Sequence, residues 1–357
     1  MKSKIIFFLP NLTVGGAELI TLNFIKKLDK NKFEVILVVI SNSWDVIEEL
    51  PIDIEIVRFD ISRTIKSIFK ISTFIKEREP DIVFTSLMHS SMVLYLALLI
   101  NMKKPKIIFR SPTSPKLLIE SGKLGSFRKQ LLIKTYKSAN LLIAQTPEMK
   151  IEMVKYYGIK EEKIKVFINP IDKIAINQKL QNIKNPFNEE KENIVASGRL
   201  VKQKGFDILI EAFALAYAQN KNLELHILGS EMEEGNNLRE LVKSLNLQKQ
   251  VHFLGHQSNP YRYYYFSDLY VLSSRKEGLP NTVLENLYLK KPIIATRCIP
   301  FMDTLFKDRK NGFLVEVENI EELAEKILAY KSLVPDDSFI PEQKGDINEL
   351  IEGVLCV

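Results

Sequence analysis

The segment 273–285 combines two carboxylates with the composition of a phosphate-binding turn. Glu277 lies within it and Glu285 ends it. The segment follows a strongly apolar run and predicts a helix that begins near Asn281 or Thr282, whose free N–H groups favour a phosphate. An ionised carboxylate only accepts hydrogen bonds, and sugars and ribose offer many hydroxyl donors. The segment therefore predicts a diphosphate site with hydroxyl recognition, although a glutamate near a helix start is also a common partner of the helix dipole.

Two well-separated cations lie in a second, glycine-flanked loop, residues 197–205. Arg199 offers a planar fork of donors and Lys204 a point charge, and two such cations can converge on a diphosphate. A solvated loop with incidental lysines is the alternative. The loop alone does not decide between the two interpretations.

A third loop, residues 10–18, contains the adjacent glycines Gly15 and Gly16. Paired glycines let a backbone approach a ligand closely, and the helix that follows offers N–H groups to an anion. The loop lacks the spacing of a dinucleotide fingerprint or a P-loop. Its glycines are equally consistent with the geometry of a strand-to-helix turn.

All three loops follow short apolar runs that alternate with amphipathic helical patterns. The alternation is typical of a parallel α/β sheet and occurs twice, so we expect two Rossmann-like, doubly wound α/β domains that face each other across a cleft. Ligands of such sheets bind beyond the carboxyl ends of the strands. The strand-like runs are 5–9, 33–40, 82–84, 107–109, 141–143, 194–196, 225–228, 251–254, 269–272 and 292–295.

A polar stretch, residues 177–193, separates the two series of alternating strands and helices and is interpreted as a linker. The predicted division is an N-terminal domain over 1–176, the linker over 177–193, a C-terminal domain over 194–335 and a tail over 336–357. We expect the tail to pack back toward the N-terminal domain.

The composition is that of an ordinary folded protein. A length of 357 residues suits two domains, and 46% of the residues are hydrophobic. Cys298 and Cys356 share no metal-ligand spacing, and the longest apolar run, 92–100, is shorter than the ~18 residues of a membrane span. Because a strand-like run closely follows Met1, we expect no signal peptide and a cytoplasmic location.

Positive charge is concentrated in the first half of the chain. Residues 1–172 hold 27 Lys and Arg against 18 Asp and Glu, and the remainder holds 23 against 26, so the two parts carry +9 and −3. The segment 116–137 intersperses cations with large apolar residues, a mixture suited to a helix on an anionic membrane surface. An ordinary amphipathic helix is the alternative.

Taken together, the motifs resemble the large retaining glycosyltransferase family 4, which has the GT-B fold. The resemblance covers nearly the whole chain in the right order and rests above all on Glu277 followed at the eighth position by Glu285. The other motifs are Gly15-Gly16-Ala17-Glu18, Gly198-Arg199-Leu200 with Lys204-Gly205, Asn169-Pro170, Phe253-Leu254-Gly255 and Asn311-Gly312-Phe313-Leu314-Val315.

The resemblance implies transfer of a sugar from a nucleotide diphosphate, with UDP and an N-acetylhexosamine as the leading expectation. The acceptor would be a glycan or a polyprenyl-linked sugar, and the product a cell-surface polysaccharide or lipopolysaccharide. The enzyme would act on the inner face of the cell membrane as a peripheral protein. The N-terminal domain would hold the acceptor and the C-terminal domain the donor.

The resemblance also implies roles for single residues. Arg199 and Lys204 would neutralise the donor diphosphate. Glu285 would bind the ribose hydroxyls, and Glu277 would contact the donor sugar beside the reacting carbon, so that Glu277, Arg199 and Lys204 are the expected catalytic residues. No cofactor or metal is expected, because the sequence contains no Asp-x-Asp motif. The implied donor-binding residues are Gly15, Gly16, Arg199, Lys204, Gly278, Leu279, Pro280, Asn281, Thr282 and Glu285.

Two segments depart from the family pattern. Residues 286–292 replace a small-residue stretch that ends in Gly-x-Pro, and residues 297–301 lack the glycine-bearing loop that commonly follows the next strand. The departures affect the pocket for the donor sugar more than the reaction class.

The acceptor side is predicted from strand ends alone. Ser86 and His89 follow one strand and Arg110 ends the next, so all three could line the open face of the N-terminal domain. A structural role is the alternative for a lone histidine such as His89.

Other function classes share parts of this pattern. A nucleotide-sugar epimerase or hydrolase could share the scaffold and its cations. A nucleic-acid-binding protein would need a basic, aromatic face, for which residues 261–265 are the one candidate, and these are better interpreted as a helix packed under the second sheet. We therefore expect no nucleic-acid partner.

Overall fold

The structure is a computed structural model that describes residues 2–12, 16–41, 50, 53–102, 104–120, 122, 125–306, 310–335 and 345–356. The chain divides into two compact units. The first comprises Met1–Pro170 together with Gln343–Val357, and the second comprises Ile171–Glu342.

The first unit is a parallel sheet with helices on both faces. Within the described residues its seven strands lie in the order β3-β2-β1-β4-β5-β6-β7. The strands are β1 Ser3–Leu9, β2 Phe33–Val39, β3 Glu55–Arg58, β4 Ile82–Thr85, β5 Lys106–Arg110, β6 Leu141–Ala144 and β7 Ile164–Val166. The helices are α1 Gly16–Lys27, α2 Ile68–Arg78, α3 Met88–Leu99, α4 Pro115–Glu120, α5 Ser126–Ser138 and α6 Pro147–Tyr157.

Both faces of this sheet are buried, as the apolar runs of its strands predict. In β1, Ile6 and Phe8 belong to one apolar cluster, and Ile5 and Phe7 belong to the cluster on the opposite face. A parallel sheet covered on both faces needs such continuous apolar strands, because side chains alternate between the faces.

The second unit repeats this architecture. Its six described strands lie in the order β10-β9-β8-β11-β12-β13. The strands are β8 Glu192–Ser197, β9 Leu223–Leu228, β10 Val251–Gly255, β11 Leu269–Leu272, β12 Ile293–Thr296 and β13 Gly312–Val315. The helices are α7 Lys173–Lys179, α8 Phe206–Gln219, α9 Gly235–Ser244, α10 Tyr261–Phe266, α11 Asn281–Tyr288, α12 Met302–Leu305 and α13 Ile320–Ala329.

The ten strands predicted from the sequence are confirmed, and three unpredicted strands join them. β3, β7 and β13 each lie at an edge of their sheet. They are short and only partly buried, so their sequences carry less of the apolar signal that marks a central strand.

The boundary between the units differs from the predicted one, because it falls at Pro170 and Ile171. The predicted linker, residues 177–193, belongs to the second unit. Asn259 Nδ2 donates to Lys179 O at 2.7 Å, and the ring of Phe187 lies 4.5 Å from that of His226. These contacts fold the polar stretch onto the second unit.

The end of the chain belongs to the first unit. Helix α14, Ile347–Leu355, buries Ile347, Ile351 and Val354 in the same apolar cluster as Phe7. Asn348 Oδ1 accepts a bond from Asp29 N at 2.7 Å. Among the described residues, no helix is long and apolar enough to cross a membrane.

Candidate active site

The loops after β8 and β11 lie side by side because the two strands are neighbours. The strands pair in parallel, so both end at the same edge of the sheet. Arg275 N donates to Gln203 O at 2.8 Å, and Gln203 Nε2 donates to Lys276 O at 2.8 Å. The structure thus brings together the two segments with the predicted cations and carboxylates.

Lys204 and Glu277 form the polar centre of this site. Lys204 Nζ donates to Glu277 Oε1 at 2.6 Å, and Ser274 Oγ donates to the same oxygen at 2.7 Å. The side chains of Lys204 and Glu277 are 21% and 11% exposed, so water screens their charges only partly. An ammonium group has three donors, so this bond leaves two for a phosphate. One cation can therefore serve a carboxylate and a diphosphate together.

Arg275 anchors the β11 loop to helix α8. Its guanidinium donates to both carboxylate oxygens of Asp207, at 2.7 and 2.8 Å, and to Lys202 O at 2.7 Å. The hydrogen bonds to Asp207 raise the pKa of Arg275 above its ordinary value. Sequence reasoning missed this anchor, because Asp207 lies 68 positions away and no motif links the two residues.

Gly205 allows the two loops to approach closely. Its φ of 63° lies in the left-handed region, and a Cβ added there would lie 2.1 Å from the carbonyl oxygen of Ser273. Ser273 Oγ also donates to Lys204 O at 3.0 Å. A side chain at position 205 would push the β11 loop away from Lys204.

A chain of hydroxyl groups holds the start of α11, which begins at Asn281 as predicted. Tyr264 OH donates to Ser197 Oγ at 2.7 Å. Ser197 Oγ lies 3.0 Å from Tyr270 OH, which donates to Thr282 Oγ1 at 2.7 Å. The first turn of α11 is thus tied to the end of β8 through buried tyrosines.

Glu285 lies one turn into α11, where it is hydrogen-bonded to Tyr261 and near the charge of Lys179. Burial raises its pKa to about 8, against these two opposing effects. The carboxyl group therefore carries a proton at neutral pH, which differs from the expected ionised acceptor. The sequence does not reveal this environment, because Tyr261 and Lys179 come from α10 and α7.

The remaining predicted donor-side residues of the second unit lie around this centre. Arg199 is exposed on the β8 loop. Gly278 is half-buried, and Leu279 and Pro280 are buried where the β11 loop enters α11. The loop therefore presents backbone at its outer edge and apolar side chains inward.

The glycine pair of the first unit is described only in part. Gly16 is exposed and begins α1, whereas Gly15 lies outside the described residues. Glu18, in the same motif, is buried in the first turn of α1, and its charge acts on Arg110.

Two of the three predicted acceptor-side residues are interior groups. Ser86 and Arg110 are 0% and 1% exposed, so the expectation that they line an open face needs correction. Ser86 Oγ lies 2.6 Å from Thr21 Oγ1, and Arg110 Nη2 donates to Asn169 Oδ1 at 2.5 Å. These partners hold both side chains inside. His89 is exposed at the start of α3, and its acceptor-side role stays a prediction.

The Arg110 guanidinium has more buried donors than partners. Its Nε and Nη1 have no hydrogen-bond partner among the described residues. Burial lowers the pKa of Arg110 to about 10, against the charge of Glu18. Asn169 donates in turn to Gln145 Oε1 at 3.0 Å. Arg110 and Asn169 thus form part of the internal support of the sheet edge.

Two Rossmann-like units, with a cation and a carboxylate in contact beyond the strands of the second, match the architecture predicted from the sequence for a nucleotide-sugar-dependent transferase. Two family models match consecutive parts of the chain. Glycosyltransferase Family 4 matches residues 14–173, and Glycosyl transferases group 1 matches residues 177–334. The protein therefore belongs to glycosyltransferase family 4, and its fold is GT-B.

Sequence relatives agree with this assignment. An uncharacterized glycosyltransferase of Methanocaldococcus jannaschii is 34% identical over 66% of this chain and 60% of its own length. N-acetylgalactosamine-N,N'-diacetylbacillosaminyl-diphospho-undecaprenol 4-alpha-N-acetylgalactosaminyltransferase of Campylobacter jejuni is 29% identical over 68% of this chain and 65% of its own length. The chain thus spans less than two thirds of each of these relatives. Neither supports the alternative of an epimerase or hydrolase.

A solved structure shares the whole fold. HepE of Anabaena, in complex with UDP and glucose, is 19% identical to this chain, with a TM-score of 0.77. The match covers 99% of this chain and 99% of HepE. The likeness extends through both units.

We predict that Gly205→Ala lowers the thermal unfolding midpoint more than Gly255→Ala does. Both glycines have a left-handed φ, which costs another residue about 1–2 kcal/mol. A Cβ at Gly255 meets nothing within 4 Å, whereas at Gly205 it clashes with Ser273 O. The measurement is calorimetry of both variants. Equal losses would show that the close approach of the loops does not depend on Gly205.

Proposed function

We propose that this protein transfers a sugar, with retention, from a nucleotide diphosphate to a glycan or lipid-linked acceptor in the synthesis of a surface polysaccharide. The contact between Lys204 and Glu277 carries the proposal. A transferase of this kind needs a cation at the leaving diphosphate and a carboxylate beside the donor sugar, and these two side chains supply both. Membership of glycosyltransferase family 4 supports the same activity.

The chemistry balances without a protein nucleophile. The bond from the anomeric carbon to the diphosphate oxygen breaks, and a bond to the acceptor oxygen forms on the same face. Lys204 and Arg199 neutralise the charge that develops on the diphosphate. The released phosphate oxygen takes the proton of the acceptor hydroxyl. Because the new bond forms on the face that the diphosphate leaves, the configuration is retained.

Glu277 would act on the donor sugar. Both hydrogen bonds that the described side chains donate to it end on Oε1, so Oε2 would accept a bond from a sugar hydroxyl. Its negative charge would also stabilise the positive charge that develops at the anomeric carbon. Ser274 and Lys204 hold the carboxylate in one orientation for this task.

The proposed donor is a UDP-N-acetylhexosamine. The named Campylobacter relative is an N-acetylgalactosaminyltransferase, and UDP is the nucleotide in the HepE structure. The acceptor of that relative, by its name, carries diphospho-undecaprenol, which supports a lipid-linked acceptor here. Residues 286–292, which follow Glu285, depart from the family pattern and would give the sugar pocket its own shape.

We predict that UDP binds more tightly than GDP or ADP and that its affinity rises with pH up to about 8. The pKa of Glu285 is about 8, and ribose hydroxyls donate to the ionised form, so binding releases a proton. The dissociation constant should fall by at most about tenfold per pH unit below that pKa.

Calorimetric titration at several pH values measures this dependence. Glu285→Gln should bind UDP weakly. The pH dependence of its affinity for UDP should be no larger than that caused by ionisation of the nucleotide itself. Glu277→Gln should keep that dependence while sugar transfer falls. A wild-type pH dependence that persists in Glu285→Gln would assign the ribose contact to another residue.

We also propose that transfer needs no divalent metal, because Arg199 and Lys204 would take the place of the ion. Wild-type transfer should therefore continue in excess EDTA. Lys204→Ala should lower turnover by at least about 10²-fold, or ~3 kcal/mol, as does the loss of a preorganised donor in other enzymes. Lys202→Ala, an exposed neighbour in the same short helix, is the matched control. Complete loss of wild-type transfer in EDTA, with recovery on adding magnesium, would refute this assignment.

Peripheral binding to an anionic membrane through the first unit is a further part of the proposal. The segment 116–137 overlaps α4 and α5, each of which extends one residue beyond it. Helix α5 buries Leu132, Thr135 and Tyr136 and exposes Lys134 and Lys137. The exposed cations would attract anionic headgroups, an attraction that salt screens.

We predict that the protein floats with anionic vesicles at low salt and not with neutral ones. The double variant Lys134→Glu with Lys137→Glu should lose most of this binding. Lys184→Glu with Lys249→Glu makes an equal charge change at exposed positions of the second unit and should retain it. Equal flotation of the two double variants would exclude α5 as the contact surface.

A further inference from the structure

The carboxylate of Glu277 is held by a chain of hydrogen bonds that begins on a third strand, β12. Thr296, the last residue of β12, donates from Oγ1 to Ser274 O at 2.5 Å. Ser274 Oγ donates in turn to Glu277 Oε1 at 2.7 Å. Thr296 and Ser274 are each 1% exposed, so water competes little for either bond. The orientation of the carboxylate therefore depends on a residue outside the two loops that carry Lys204 and Glu277.

Strand pairing places Thr296 beside the start of the β11 loop. β11 and β12 pair in parallel, and their pairing ends with Leu272 opposite Ala295, one residue before Thr296. On its other side Thr296 pairs with Val315 of β13. A threonine held between two strands has few side-chain rotamers, because its Cβ is branched. The direction of its hydroxyl group is thus set by the sheet and not by the loop that it holds.

Arg297 secures the end of β12 from the side of β13. Arg297 N donates to Val315 O at 2.8 Å, and its Nε donates to Glu316 Oε1 at 2.9 Å. Its guanidinium also donates to Asp303. Arg297 belongs to the segment 297–301, which departs from the family pattern. The sequence motifs therefore did not indicate this anchor.

The Ser274 carbonyl transmits the effect of Thr296 to the carboxylate. A buried carbonyl without a partner is unfavourable, so loss of the Thr296 hydroxyl favours rotation of the peptide after Ser274 toward another donor. That rotation would carry the Ser274 hydroxyl away from Glu277 Oε1. Of the two described side chains that donate to this oxygen, Lys204 would remain. A single donor lets the carboxylate turn, so its Oε2 would no longer keep one direction.

We propose that Thr296 is a positioning residue for sugar transfer, which acts through Ser274 to fix Glu277 with its Oε2 toward the donor sugar. This inference rests on the proposed function for the sugar that Glu277 contacts. Thr296 has no part in holding the diphosphate, which is assigned to Arg199 and Lys204. Its loss should therefore affect the sugar and spare the nucleotide.

The test compares UDP with UDP-N-acetylglucosamine by calorimetry on the full chain and measures sugar transfer in parallel. Thr296→Val keeps the shape of the side chain and removes the hydroxyl. Turnover should fall about tenfold or more, because misplacement of a reacting group is costly. The affinity that the sugar adds to UDP should be lost, while affinity for UDP alone should change less than about twofold. Thr296→Ser retains the hydroxyl and should restore most of the turnover.

Thr135→Val is the matched control, because Thr135 is also buried and donates to a backbone carbonyl, Leu131 O, at 2.8 Å. It lies in the first unit and should leave turnover and both affinities within about twofold of wild type. Ser274→Ala should lower turnover as Thr296→Val does. Because Thr296 acts through Ser274, the double variant should be no slower than Ser274→Ala alone.

The outcomes separate this inference from the proposed function. Multiplied losses in the double variant, or a Thr296→Ser protein as slow as Thr296→Val, would overturn the positioning role. Equal losses of affinity for UDP and UDP-N-acetylglucosamine in Thr296→Val would also overturn it. Wild-type transfer that Thr296→Val leaves unchanged would overturn the role and keep the proposed function. Absence of wild-type transfer, with sugar-dependent affinity lost in Thr296→Val and kept in Thr135→Val, would do the reverse.

Discussion

The hydrogen-bonded ion pair between Lys204 and Glu277 joins two loops that lie 73 positions apart in the sequence. The pair can form because β8 and β11 are parallel neighbours and because Gly205 lets the loops meet without a Cβ between them. Arg275 then secures the second loop to Asp207, so the carboxylate cannot move without breaking several bonds. The position of the cation relative to the carboxylate is thus a property of the sheet rather than of either loop.

Burial determines the protonation of the groups around this pair. Glu285 is half-buried on α11 and hydrogen-bonded to Tyr261 of α10, and desolvation raises its pKa to about 8. The Cys298 thiol is half-buried, and desolvation raises its pKa to about 12, with the charge of Glu277 as a second cause. The thiol therefore stays protonated and does not compete as a nucleophile. Low solvent access makes each remaining charge, above all that of Lys204, more effective on a bound diphosphate.

The sequence predicted the elements of the fold better than the contacts between them. Central strands carry continuous apolar runs, so the order of strands and loops was readable, and the helix start at Asn281 followed from the turn chemistry before it. Arg110 shows where such reasoning stops. A charged residue at a strand end is expected to face solvent, yet Asn169, 59 positions away, holds it inside. Pairing over such distances leaves no periodic signal in the sequence.

The positions predicted for the acceptor side differ in exposure according to their distance from the end of the strand. Positions directly after a strand, such as Ser86, lie between the sheet and the helix that follows, so short polar side chains there bond inward. Positions a few residues later, such as His89, have left the sheet and face outward. Arg63 lies further along a connection, after β3, which was not predicted because edge strands carry a weak apolar pattern. An unrecognised edge strand therefore hides the loop that follows it, and in this fold that loop places Arg63 in the lining of a polar cavity of the first unit.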